Sequence, residues 1–546
     1  MAEYNRGLFH KWVPGLGQLG LIVLLLAVVL LINPVNAGNI GQMSASTGIL
    51  SEYYMWGTYA TIIGMSLVLP MIMRIKMRFR SKELMITALI VMAIMSVVVA
   101  TTSIGEVVVV ASLIFGIAKM MGMVEMILPV QGILCPDGNR KRFYAIFYPI
   151  SIGSSQIGVF FTSISSLNVG WQALHFYSAG ILLLAALLCV IVMHNQRFAK
   201  KMPFYRVDWF GLLLFATALM SMAYIFALGK QQDWFNSSYI IGAVVISITS
   251  IFALIIRQLN IKHPFLSFEL YKIKDVRYGL LLLVGQGMFM GVSMIMSIYT
   301  SAILGYNWMT NSAINLMTLP GIVAAGFVAF HWTKHQIPLK MYIFSGFAAY
   351  FLYAVMLYFM MVPQLNIAQL YLPQILNGYG MCALFISVWI HTLDKVPQNK
   401  MLPSVAPVMI FRSFVLMAFF TALFGWLQYE LQWQSIGNLA IYFDTLTVND
   451  YQAANSMKSV QLGAILAANK TLLGYTVIAG LGILTFVFFH QFGRLKYRIA
   501  RHPVYLARKR KQISLNLSHH SGKTFLSAWD WHLPETVFEK FLLIVR

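Results

Sequence analysis

Of the 17 acidic residues in this 546-residue chain, Glu125 alone falls well inside a long apolar stretch, and Lys119 stands six positions before it in the same stretch. Burying an ionisable group in hydrocarbon costs a few kcal/mol at least, so both are functional candidates by default. A carboxyl group there can take up and release a proton, while the amine can bias it or meet an anionic substrate. Six positions along a helix leave about 120° between two side chains. The two therefore do not share a face, and each should find its partner on another helix. The plainer reading is a buried, hydrogen-bonded pair that fixes helix contacts, or Glu125 reaching the inner interface just before Pro129.

Arg412 lies in a later apolar stretch, near its inner end, where snorkelling toward lipid phosphate competes with a functional role. His391 and Asp394 are three apart, close enough to touch on one helical face. Such a pair can relay protons or act as a general base, but capping the helix end beside Lys395–Lys400 explains it more simply. Asp208 reads as a helix N-cap, and Glu52, Glu106 and Glu430 as solvated outer helix ends. The apolar stretches carry no paired catalytic acids, nucleophile elbow or HExxH pattern, so no enzyme, catalytic residue or cofactor is expected. Cys135, Cys189 and Cys382 have unrelated spacings, which supports neither a disulfide framework nor a metal site.

These residues need long helices to hold them. The chain is 59% hydrophobic and 10% charged, against roughly 25% charged in soluble domains. Backbone satisfaction in lipid leaves helices, and no alternating strand pattern suggests a barrel. All but five of the 39 Lys and Arg fall in alternate inter-span segments or the tails, assignable to one side. Lys230, Lys458 and Lys470 fall opposite, and Lys119 and Arg412 fall within spans. That bias places both tails in the cytoplasm and requires an even span count. The net charge of +22 is spread over many short segments, which fits anchors facing anionic lipid and not a nucleic-acid surface. The 33 Met and the 76 aromatic residues are compatible with a cavity that adapts to varied apolar molecules.

Fourteen spans start near Leu19, Tyr53, Leu84, Val107, Phe143, Trp171, Asp208, Tyr239, Tyr278, Ser312, Met341, Ala368, Val405 and Thr471. The first run, Leu19–Ile32, lacks a cleavage site and reads as a span. The expected organisation is a cytoplasmic segment 1–18, a six-helix bundle 19–196, and a basic linker 197–277 carrying spans seven and eight and the loop after them. A second six-helix bundle 278–490 follows, with an outer loop over about 428–470, and then a basic cytoplasmic tail 491–546.

Val207-Asp-Trp-Phe-Gly211 opens the seventh span and Ala227-Leu-Gly-Lys-Gln-Gln-Asp-Trp-Phe-Asn236 closes it. His263-Pro264, Leu270-Tyr271-Lys272, Leu304-Gly305-Tyr306 and Leu319-Pro320-Gly321 follow in order, then Pro373-Gln374, Pro397 and Arg412. From about residue 20 to 490 the chain resembles the fourteen-span drug:proton antiporter branch of the major facilitator superfamily, the EmrB/QacA type. The resemblance implies two six-helix bundles with two inserted central helices, a central cavity that opens alternately to each side, and export driven by protons. It also implies a bacterial inner membrane and, in double-membraned bacteria, a periplasmic membrane-fusion adaptor and an outer-membrane channel. An amphiphile of hydrophobic or anionic character is the expected cargo.

The coupling motifs depart from that pattern. Counting from Trp56, which matches a family tryptophan, the loop glycine falls on Met73 and the acid on Met77; Arg78 stays basic, and the next glycine is Arg80. The span-four arginine falls on Ile117, and the span-five glycine-proline pair reads Gly158-Val159 with Thr162-Ser163 after it. The span-one acid falls near Asn33, an amide that cannot carry a proton. An uncoupled facilitator or lipid mover of the same fold, or a non-transporting scaffold, is the alternative.

Overall fold

The computed structural model describes residues 8–35, 38–135, 140–195, 208–261, 264–266, 271–335, 337–393, 396, 401–443 and 450–490. The helices run α1 (Gly15–Leu31), α2 (Ile40–Thr47), α3 (Ser51–Val68), α4 (Ile72–Arg78), α5 (Ser81–Thr101), α6 (Gly105–Leu134), α7 (Arg140–Val169) and α8 (Trp171–Val192). Next come α9 (Trp209–Leu228) and α10 (Ser238–Asn260), packed on each other. The chain continues through α11 (Lys274–Ile298), α12 (Trp308–Leu316), α13 (Thr318–His335), α14 (Leu339–Met360), α15 (Tyr371–Leu393), α16 (Met401–Ile410), α17 (Met417–Phe443) and α18 (Asp450–Phe489). A π-helical turn, Phe411–Leu416, joins α16 to α17. Among the described residues the only β-pairing is an isolated bridge, Phe9–Met193.

Twelve helices among the described residues are long and apolar enough to cross a membrane. They match twelve of the fourteen stretches read in the sequence, and α1 and α3 stand at the other two. Helix α1 is 17 residues long. Helix α3 is polar for a span, with Glu52 in its first turn and Tyr54, Tyr59, Thr61 and Ser66 buried. A helix surrounded by other helices need not be apolar all round.

The buried residues of one core all lie between Val276 and Val487, with Tyr144 and Tyr148 of α7 packed against it, and those of another lie between Phe9 and Met193. A third joins Tyr59 and Ile63 of α3 to Phe215 and Leu219 of α9 and to Phe414 of the π turn. The outer loop expected over about 428–470 is helical for most of its length, because α17 runs on to Phe443 and α18 begins at Asp450. These extensions carry polar side chains that bond within the helix, as Gln428 Nε2 does to Gln432 Oε1 at 3.2 Å.

Two helix crossings share one construction. A Cβ added at Gly64 would lie 2.2 Å from the Leu113 carbonyl oxygen, and one at Gly116 2.1 Å from that of Thr61. A Cβ at Gly321 would lie 1.9 Å from the Ile375 carbonyl oxygen, and one at Gly378 2.1 Å from that of Thr318. In each crossing a glycine sits three residues after the carbonyl that its partner glycine accommodates. The crossing of α3 with α6 is thus repeated by α13 with α15, as small residues permit where backbones approach.

Candidate functional site

Helix α4 is an apolar–basic alternation, Ile72-Met-Arg-Ile-Lys-Met-Arg78, that turns one of its cations inward. Lys76 Nζ donates to Glu125 Oε2 at 3.0 Å, with the two side chains 4% and 2% exposed. The sequence reads Arg74–Lys82 as a basic cytoplasmic loop between spans; a short helix occupies its first part, and Lys76 is buried. Arg78 lies in the last turn of α4. Arg80 stands just before α5, where its backbone N–H donates to Glu83 Oε2 at 3.2 Å.

Glu125 and Lys119 find separate partners, as their angular separation requires. Lys119 Nζ donates to Leu30 O at 3.1 Å, Ile32 O at 2.9 Å and Asn33 Oδ1 at 2.6 Å. The sequence explains why these oxygens are available. Helix α1 ends at Leu31, and its last carbonyls lack intrahelical donors. Pro34 has no N–H to offer Leu30 O. A cation at this end also answers the helix dipole. Two sequence candidates, Lys119 and Asn33, are thus one unit. The ammonium's three protons are all taken, which argues against the expectation that it meets an anionic substrate in this state.

Arg412 is 5% exposed, which overturns snorkelling. Its guanidinium carbon lies 4.1 Å from the Phe385 ring centroid, 4.6 Å from Trp389 and 5.3 Å from Tyr148. Nη1 donates to Phe385 O at 3.3 Å, while Nε has no hydrogen-bond partner. No carboxylate among the described residues pairs with it. The box is built by α7, α15 and the π turn, and no spacing in the sequence announces it because its members come from three helices.

Trp56 packs edge-on against Tyr224 of α9 with centroids 5.0 Å apart, and its indole N–H is buried without a partner. His391 is buried in the last turn of α15, and Asp394 lies outside the described residues. Asp208 caps α9 as expected by accepting from Gly211 N at 2.8 Å, and it does more than that. It accepts from Arg257 Nε at 2.8 Å and Gln258 Nε2 at 2.7 Å, tying α9 to α10. At the other end of α7, Ser163 and Ser312 hydroxyls lie 2.6 Å apart, linking α7 to α12.

No family model matches the chain. Over 313 residues it is 20% identical to the multidrug export protein EmrB of Escherichia coli (strain K12), covering 54% of this chain and 60% of that protein. It is 23% identical over 237 residues to the probable multidrug resistance protein EmrY of the same organism, covering 42% and 44%. It is 24% identical over 197 residues to a methylenomycin A resistance protein of Bacillus subtilis (strain 168), covering 36% and 41%. The chain spans about half the length of the curated relatives it matches. A crystal structure of a POT peptide transporter in complex with sulfate aligns with a TM-score of 0.53 at 14% identity, over 89% of this chain and 96% of that one. This chain has the major facilitator fold. A tetrameric PepTSo2 aligns with a TM-score of 0.50 at 10% identity, over 86% and 96%. Within the major facilitator fold of this chain, the Arg412 box joins α7, before the α9–α10 pair, to α15 and the π turn after it.

Proposed function

We propose that this membrane protein is a secondary transporter that exports hydrophobic or amphiphilic small molecules by alternating access, driven by protons moving inward. The observation that carries the reading is the Arg412 box. A guanidinium with an unpartnered Nε, no carboxylate paired with it among the described residues, and aromatic faces from helices on both sides of the α9–α10 pair suits an anionic headgroup on an apolar body. The named relatives are multidrug export or antibiotic resistance proteins, which supports export as the direction. The proposed topology has fourteen spans, two six-helix bundles and both termini in the cytoplasm of a bacterial inner membrane. An adaptor and an outer-membrane channel would complete the route in a double-membraned cell. One proton crossing 100 mV supplies about 2.3 kcal/mol, enough for roughly a fiftyfold substrate gradient.

A second reading, an uncoupled facilitator of the same fold, draws support from Asn33 and from the ion pair that occupies Glu125. Proteoliposomes holding the purified protein under an imposed pH gradient separate the two. Accumulation of an anionic fluorescent amphiphile that follows the gradient, and that falls at least tenfold in Arg412→Met, is the expected result. Exchange indifferent to the gradient would favour the facilitator. Equal transport by Arg412→Met would remove the headgroup role.

A further inference from the structure

We infer that Lys119, and not Glu125, holds the transported proton, and that this proton clamps the end of α1 to α6. The inference rests on the proton-coupled reading above. An ammonium has three N–H groups, and Lys119 faces three oxygens at bonding distance: Leu30 O, Ile32 O and Asn33 Oδ1. The match is complete only while the amine is protonated. Deprotonated, it keeps two donors and turns a lone pair toward one of the three oxygens, so the grip on residues 30–33 loosens. Occupancy of the proton and contact between two helices are then one variable, as alternating access requires.

All three acceptors are neutral. A buried charge held only by dipoles is neutralised at lower cost than one facing an opposite charge. Glu125 is instead paired, with Lys76 Nζ at 3.0 Å. Among the described residues, α1 contributes no ionisable side chain, and α5 none between Leu84 and Thr101. Helix α3 offers Glu52 and tyrosines 53, 54 and 59, α7 Lys141, Arg142, Tyr144 and Tyr148, and α8 His175, Tyr177 and Cys189. Along α6 itself stand Glu106 in the first turn and Glu125 with Lys76 against it. No carboxylate among the described residues pairs with Lys119. The position also explains the amide at residue 33, since a carboxylate there would hold the ammonium permanently charged.

The test uses full-length protein in proteoliposomes with 1-anilinonaphthalene-8-sulfonate as the probe, read both as exchange at equal pH and as accumulation under a pH gradient. Lys119→Arg keeps a cation that does not deprotonate. It should lose accumulation at least tenfold, whereas Glu125→Gln should still respond to the gradient. Accumulation by Lys119→Arg equal to wild type overturns the inference, as does loss of the response in Glu125→Gln with retention in Lys119→Arg. A wild type that exchanges the probe but ignores the gradient overturns the coupling reading and this inference together, and the wild-type arm alone reveals that. Should Lys119→Arg not reconstitute, proton release on probe binding in weakly buffered detergent decides. Wild type and Glu125→Gln should release a proton and Lys119→Met should not; equal release by Lys119→Met overturns the inference.

Discussion

The α3–α6 crossing and the α13–α15 crossing are the same joint built twice, with glycines 64 and 116 in one and 321 and 378 in the other. They differ in what they carry. Three residues after Gly116 stands Lys119, and three after Gly378 stands Met381. Nine residues after each glycine stand Glu125 and Ser387. The first joint therefore holds two buried charges where the second holds a thioether and a hydroxyl. Since a buried ion pair stabilises weakly or not at all against apolar residues of similar size, packing alone gives no reason for this asymmetry. Work performed at one joint and support supplied by the other would give one.

The comparison breaks most sharply at Glu125. Glu125→Leu leaves the Lys76 ammonium buried without its carboxylate and should cost about 3–5 kcal/mol. The double variant Lys76→Met, Glu125→Leu should recover most of that, seen as restored thermal unfolding temperature in detergent. Equal damage from single and double would mean that the pair is not what the joint is built around.

Loading the neutral joint is the reciprocal experiment. Met381→Lys places an ammonium among the apolar side chains packed there and should cost about 2.5–3.5 kcal/mol. Full stability would show that charge is tolerated at either joint and that Lys119 needs no special acceptor. Gly116→Ala and Gly378→Ala should each cost about 1–3 kcal/mol by overpacking against a backbone carbonyl. Similar losses would confirm the shared construction, and one tolerated alanine would end it.

The sequence made the helices legible because twenty-residue apolar runs and the distribution of cations report directly on a membrane. It also exposed Glu125, Lys119 and Arg412, since charge inside such runs is rare. The partners were hidden for a physical reason. Lys76 sits among Arg74, Arg78, Arg80 and Lys82, and only the short helix α4 decides which cation turns inward. Lys119 is satisfied by backbone oxygens, which no residue identity announces, although Pro34 after Asn33 marks where unpaired carbonyls would appear. The Arg412 box needs three helices at one level, and the packing that brings them there is not written in any local spacing.

The ion pair at Asp208 supplies the mild end of the scale. Its carboxylate is 1% exposed, but Arg257 is 37% exposed, so water screens the pair that ties α9 to α10. Asp208→Asn keeps an oxygen for the Gly211 N–H and should cost about 0.5–1 kcal/mol, whereas Asp208→Ala loses the cap as well and should cost about 1–2 kcal/mol. Thermal unfolding of the two variants beside Glu125→Leu measures how much enclosure matters. If Asp208→Asn were as harmful as Glu125→Leu, burial of both partners would not be what sets the first joint apart. The asymmetry between the two crossings would then need a cause other than the confinement of charge.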